Sequence, residues 1–202
     1  FNNILNRKDI SHRELFGCIN SMFSIEILEK LSILESALYD NNEFNILINQ
    51  KELVKALSLL IFCSPLWEKV LVNIRKNILM SYSDKDKINN NILNFTIGLG
   101  SQCFLNEYVY YISQEEKDKL QELMETIDNS KNKEYKLAII SCYLSLSSIN
   151  NEIINLDNYK SNNKEFNNLL ILQLIEFNNE KKISKEIKKI GKIKDTISKD
   201  VK

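Results

Sequence analysis

The sequence predicts an all-α fold, an irregular multi-helix bundle or helical-repeat-like array of about eight or nine helices. Three observations predict it. The 202 residues include only 4 Gly and 1 Pro, too few to turn the chain of a many-stranded sandwich or barrel. Apolar residues recur at three- and four-residue spacing along most of the chain. Two Ser-x-x-Glu boxes, in which hydroxyl and carboxylate satisfy free backbone N–H groups at a helix start, precede helical patterns. A chain of this length buries a sizeable core as one domain.

Ser11-His12-Arg13-Glu14 is the first box and opens a helix over 12–21. Ile25, Leu28, Leu31, Ile33, Leu34 and Leu38 form the apolar face of a second, 25–39, which Asp40-Asn41-Asn42 breaks. Leu53, Ala56, Leu57, Leu60 and Ile61 make the face of a third. Ser64-Pro65 starts a fourth, since Pro at the first helical position gives up an N–H that has no intrahelical acceptor. Leu66, Trp67, Val70, Leu71, Ile74 and Ile78 carry that helix to Met80.

The polar stretch 81–87 then divides the chain into halves, 1–80 and 88–179. Residues 88–112 read as one long helix or two collinear ones, with Gly98 and Gly100 permitting a kink or the close approach of a neighbour. Ser113-Gln114-Glu115-Glu116 is the second capping box, and its helix ends near Asp128-Asn129. Tyr135, Ala138, Ile139, Cys142 and Tyr143 mark the next helix. After a polar loop, 150–163, the run Leu169-Leu170-Ile171-Leu172 predicts a helix over 165–177 buried on most sides. Residues 180–202 carry nine Lys and four acidic residues, with an apolar stripe of Ile183, Ile187, Ile190, Ile197 and Val201. They read as a Lys-rich amphipathic linker helix leading toward a further domain; docking on an anionic surface is the weaker alternative. No repeat period emerges.

Composition excludes more chemistry than it supplies. The 27 basic and 27 acidic residues cancel, which excludes a generally basic nucleic-acid binder. One His excludes any site that needs two. No apolar run reaches the roughly 18 residues of a membrane span. The four cysteines, 18, 63, 103 and 142, form no Cys-x-x-Cys pair and read as buried, reduced thiols of a cytoplasmic protein. The high Ile and Asn content, 28 and 27 residues, reads as codon bias rather than function. A start at Phe1 without Met reads as an excised segment. His12 reads as exposed, and the carboxylates of Glu115-Glu116-Lys117-Asp118-Lys119 as solvated surface. Gly98-Leu99-Gly100 lacks the preceding strand and third glycine of a nucleotide loop.

The stretch 101–111 is the most unusual. Gln102, Asn106 and Glu107 are polar among aromatic and aliphatic neighbours, and Gln102 and Asn106 stand one helical turn apart. Buried polar groups need partners, so Gln102, Asn106, Glu107, Tyr108 and Tyr110 are the candidate contact residues or a buried polar network. No catalytic, cofactor-binding or metal-ligating residue is assigned.

The same stretch, Gln102-Cys103-Phe104-Leu105-Asn106-Glu107-Tyr108-Val109, resembles the pattern Gln-Cys-Phe-x-Asn-Glu-Tyr-Val of large bacterial proteins that join tetratricopeptide repeats to an S-adenosylmethionine-dependent methyltransferase domain. Ser113-Gln114-Glu115-Glu116 is similar to their Thr-x-Glu-Glu, and the segment 66–75, ending in Arg75, to their Leu-Glu-x-Leu-Leu-Thr-x-Leu-Arg helix. Ala138-Ile139-Ile140-Ser141-Cys142-Tyr143 resembles their Leu-Leu-Ala-Cys-Tyr, although Leu144-Ser145 replaces the following Arg-Pro. Ile193-Lys194-Asp195-Thr196-Ile197-Ser198 resembles the approach to the catalytic domain. The resemblance implies a helical middle region whose neighbours are the repeats and the methyltransferase domain, with a protein substrate as a further partner. It implies S-adenosylmethionine for the parent and no cofactor for this chain. The alternative is a stand-alone helical scaffold for protein binding.

Overall fold

Helix starts in this chain are set locally, by side chains that cap them. A computed structural model describes residues 2–5, 9–35, 38–83, 88–127, 132–149, 161–176, 179 and 182–183. The helices are α1 Asn2–Leu5, α2 His12–Asn20, α3 Ile25–Ser32, α4 Asn42–Ile48, α5 Lys51–Leu57, α6 Pro65–Ser81, α7 Asn90–Leu105, α8 Gln114–Glu125, α9 Lys133–Ser141 and α10 Lys164–Leu170. A π-helical stretch, Ile171–Glu176, continues α10, and there is no strand among the described residues. Ser11, Ser24, Asn41, Asn89, Ser113 and Asn163 each accept an N–H of the first turn, and both predicted capping boxes form.

Helix ends are set at a distance. With so little glycine the orphan carbonyls of a C-terminus cannot rely on glycine caps, and side chains from neighbouring helices reach them instead. At the end of α3, Asn73 Nδ2 of α6 donates to Leu31 O and Leu34 O, both at 2.8 Å, and Asn77 Nδ2 donates to Leu34 O at 2.8 Å. The buried Lys136 of α9 donates to Thr126 O, at the end of α8, at 3.0 Å. Gln173 donates to Ser141 O, at the end of α9, at 3.4 Å, and to Gly100 O at 3.2 Å.

The long helices organise the packing. α6 lies between α3 and α8, while α7 packs on α5, α9 and α10. One continuous apolar core runs from Leu5 to Leu170 through both sequence halves. Trp67, Phe44, Phe95, Tyr135 and Phe166 are its largest aromatic members. Removal of their apolar surface from water is the main favourable term of folding.

Several boundaries differ from the sequence expectation. The helix predicted over 25–39 ends at Ser32, where the Asn73 amide takes the carbonyls that a longer helix would use. The supposed break at Asn41 is the N-cap of α4, whose Phe44, Leu47 and Ile48 are buried. The helix predicted over 88–112 stops at Leu105 because Glu107 and Tyr108 turn left-handed. Leu169 and Leu170 are buried, but Ile171 is exposed, as is Ile61. Cys103 and Cys142 are buried as expected, whereas Cys18 and Cys63 are exposed. His12 is exposed. The glycines do permit close approach: an added Cβ on Gly98 would stand 2.9 Å from Val54 O, and one on Gly100 would collide with Ser141 Oγ. Residues 150–160 of the polar loop predicted over 150–163, and nearly all of the Lys-rich segment 180–202, lie outside the described residues. No described helix is long and apolar enough to cross a membrane.

Candidate functional site

Arg75 sits on the buried face of α6, one turn from Leu71 and from Ile78, and is 1% exposed. A buried guanidinium needs a charge and hydrogen-bond acceptors. Its Nη2 donates to Tyr111 O at 2.5 Å and faces Glu116 Oε1 at 3.4 Å. The Tyr143 ring lies under its Cζ at 4.4 Å, with the Tyr110 ring at 5.9 Å. Two aromatic rings therefore lie within cation–π range of this cation, an arrangement that favours Arg over Lys.

Glu116 is the other centre. It was expected on the surface with its charged neighbours, but it is 2% exposed, because α8 turns this one carboxylate toward α6. Oε1 accepts from the Tyr143 hydroxyl at 2.9 Å, and Oε2 accepts from Ser113 N at 2.8 Å. One carboxylate thus caps α8, pairs with Arg75 of α6 and holds Tyr143 just beyond α9. Burial pushes the Tyr143 phenol upward and keeps it a donor.

Gln102 and Asn106 join this cluster from α7. With the amide orientation assigned from its surroundings, Gln102 Nε2 donates to Leu57 O at 3.2 Å and Leu60 O at 2.6 Å, closing the end of α5. Its Oε1 accepts from Asn106 Nδ2 at 3.0 Å, and Asn106 Nδ2 also donates to the Tyr110 hydroxyl at 2.7 Å. Tyr110 then meets Arg75. Beside them the Cys142 thiol donates to Ala138 O at 3.3 Å, and burial followed by its contact with Cys103 raises its proton affinity. Such a thiol is an inert packing group rather than a nucleophile.

Of the five sequence candidates, Gln102, Asn106 and Tyr110 are thus in one network. Tyr108 packs edge-on against Phe104 with ring centroids 6.2 Å apart, and its hydroxyl oxygen is buried without a hydrogen-bond partner. Arg75 Nε is likewise unpartnered. Glu107 is exposed and lies outside the network. Sequence reasoning missed Arg75, Glu116 and Tyr143 as interacting residues. The signals were present: Arg75 falls in the apolar stripe of α6, and Glu116 is the fourth and last residue of a capping box.

The end of α7 has an unusual backbone. Tyr108 N donates to Cys103 O at 2.9 Å and Glu107 N to Phe104 O at 3.0 Å, the paired bonds of a Schellman termination. Glycine normally holds the left-handed position of that motif, but here Glu107 has φ 53° and Tyr108 φ 56°. Glu107→Gly is therefore expected to stabilise the chain by about 0.5–1 kcal/mol, read as a higher urea midpoint. A lower midpoint would mean that the exposed Glu107 side chain contributes to folding.

The depression on the outer face of α8, lined by Lys117, Leu120, Gln121, Met124 and Glu125, is open and almost wholly apolar. No described group of three or more His, Cys, Asp or Glu side chains is arranged to hold a metal. What the network fixes is the loop after α7, which Arg75 grips at Tyr111 O. No protein-family model, curated protein or solved structure matches this chain. Function is consequently read from this network, the loop it holds and the resemblance of its segments.

Proposed function

We propose that this chain is a non-catalytic all-helical domain of a modular, cytoplasmic S-adenosylmethionine-dependent methyltransferase. It connects tetratricopeptide repeats to the catalytic unit and presents the loop after α7 to a protein substrate or partner. The observation that carries this reading is convergence. Segments similar to that family from three separate parts of the sequence, 66–75, 102–116 and 138–143, contribute Arg75, the Gln102–Asn106 pair and Glu116, and Tyr143 to a single hub. A shared motif whose parts meet in space is better explained by a common architecture than by unrelated likenesses.

The hub ties α6, α7 and α8 together, and the resemblance assigns the cofactor to the parent's catalytic unit rather than to this chain. Calorimetric titration of the chain with S-adenosylmethionine is accordingly expected to give no heat of specific binding; a tight one-to-one isotherm would overturn the non-catalytic assignment. The modular part of the reading is tested in the gene: an in-frame strand and glycine-rich turn encoded beyond residue 202 is the expected finding. Without it the reading becomes the alternative, a stand-alone scaffold for protein–protein contacts. The exposed apolar side chains of Val109 and Tyr111 favour partner binding under either reading.

A further inference from the structure

α8 turns Glu116, Leu120 and Leu123 toward the core and most of its other residues toward water, but one flank fits neither role. There Lys117, Leu120, Gln121, Met124 and Glu125 line the open depression. Its wall is almost wholly apolar because the three polar residues contribute their aliphatic stems. Leu120, 8% exposed, is the least covered of the described core side chains, and Met124 is only partly buried, so the core reaches the surface here. The spacing i, i+3, i+4, i+7, i+8 is a helical stripe on which a second helix can lie.

The charges of α8 single out the same flank. Glu115 pairs with Lys76 at 3.2 Å, Glu116 with Arg75 at 3.4 Å and Lys119 with Glu122 at 2.9 Å, while Asp118 accepts from Gln114 Nε2 at 2.8 Å. Lys117 is the one charged side chain of α8 with no polar partner among the described residues. Glu125 accepts only from the neutral Gln121 amide, at 3.1 Å, within the depression itself.

A stripe with an unpaired cation at one end, a carboxylate without a counter-charge at the other and an apolar middle is complementary to itself when turned end for end. In two antiparallel copies of α8, Lys117 of each faces Glu125 of the other about a midpoint at Gln121. Leu120 and Met124 meet across a midpoint at Glu122. The two midpoints are one residue apart, about 1.5 Å along the axis, an offset that the length of a lysine side chain takes up. An anionic membrane or a nucleic acid would meet Glu125 together with Lys117 and gain nothing from the pair.

We propose that this flank of α8 is a self-association surface whose occupant is α8 of a second copy of the chain, antiparallel and related by a two-fold axis near Gln121. Leu120 and Met124 cover their counterparts, and a Lys117–Glu125 pair closes each end. A seam on one 12-residue helix buries less than a permanent dimer does, so the association is weak and reversible. It does not depend on the methyltransferase reading.

Sedimentation velocity of the full chain over a wide concentration range tests it. The expected result is a reversible monomer–dimer equilibrium. Lys117→Glu and Glu125→Lys each turn both pairs into like-charge contacts, and each is expected to weaken the dimer about tenfold. An equimolar mixture of the two variants is expected to recover it, because one variant then offers two carboxylates to the two ammonium groups of the other. Both positions are exposed, and unchanged melting temperatures verify that each variant is folded. A wild-type chain that stays monomeric, single variants that associate as tightly as the wild type, or a mixture that associates no more tightly than its components would each overturn the proposal. The mixture is decisive, since no pairing within one chain responds to it.

Discussion

Glu116→Ala is expected to remove about 3–5 kcal/mol of stability, the largest loss for any single charged residue of α8, measured by urea denaturation. The cause is not only the lost attraction to Arg75. Truncation leaves a guanidinium that is 1% exposed without its counter-charge, takes the acceptor from the Tyr143 hydroxyl and removes half of the second capping box. The neighbouring Glu115 supplies the control. It pairs with Lys76 at 3.2 Å on the surface, where water screens both charges, so Glu115→Ala is expected to cost less than about 1 kcal/mol.

A second substitution separates the pair from its desolvation cost. Arg75→Met alone strands the carboxylate, but in the Glu116→Leu background it removes a cation that has nothing to pair with. The double variant is therefore expected to be more stable than either single variant. If the two losses simply add, Arg75 and Glu116 are not acting as a pair. If Glu116→Ala costs no more than Glu115→Ala, the hub is not what holds α6, α8 and the turn after α9 together.

This hub also shows why some of the structure was legible in the sequence and some was not. A helix start is written within four residues, so Ser11-x-x-Glu14, Ser64-Pro65 and Ser113-x-x-Glu116 gave correct starts for α2, α6 and α8. A helix end in a glycine-poor chain is written elsewhere. α3 ends where Asn73, some forty residues later, takes its carbonyls, and α5 ends under Gln102. Asparagine, set aside as codon bias, caps three helix starts at Asn41, Asn89 and Asn163 and one helix end through Asn73. The candidate stretch 101–111 was found from its polar residues among aromatics. Its partners were not, since pairing Arg75 with Glu116 requires knowing that α6 and α8 are adjacent.

Gly98 and Gly100 provide the other large expected effect, and here space rather than backbone conformation is the constraint. Neither glycine has positive φ, so alanine at either position meets no backbone penalty and gains up to about 1 kcal/mol of helix propensity. Against that gain stand the neighbours. At Gly98 the added Cβ would be 2.9 Å from Val54 O, a backbone atom of α5, whose end is also tied to α7 through Gln102. α5 would have to move as a unit. Gly98→Ala is expected to destabilise by about 1–3 kcal/mol net, with no neighbouring side-chain substitution restoring it. At Gly100 the obstacle is a side chain: the Cβ would collide with Ser141 Oγ and stand 3.1 Å from Ser141 Cβ. Gly100→Ala is expected to destabilise by a similar amount, and Ser141→Ala to recover most of it by removing the hydroxyl. Thermal melts of the four single and paired variants decide the matter. Rescue of Gly100→Ala but not of Gly98→Ala by Ser141→Ala would show that α7 meets α9 through one adjustable side chain and α5 through fixed backbone. Equal rescue, or none, would contradict this account of how α7 is seated.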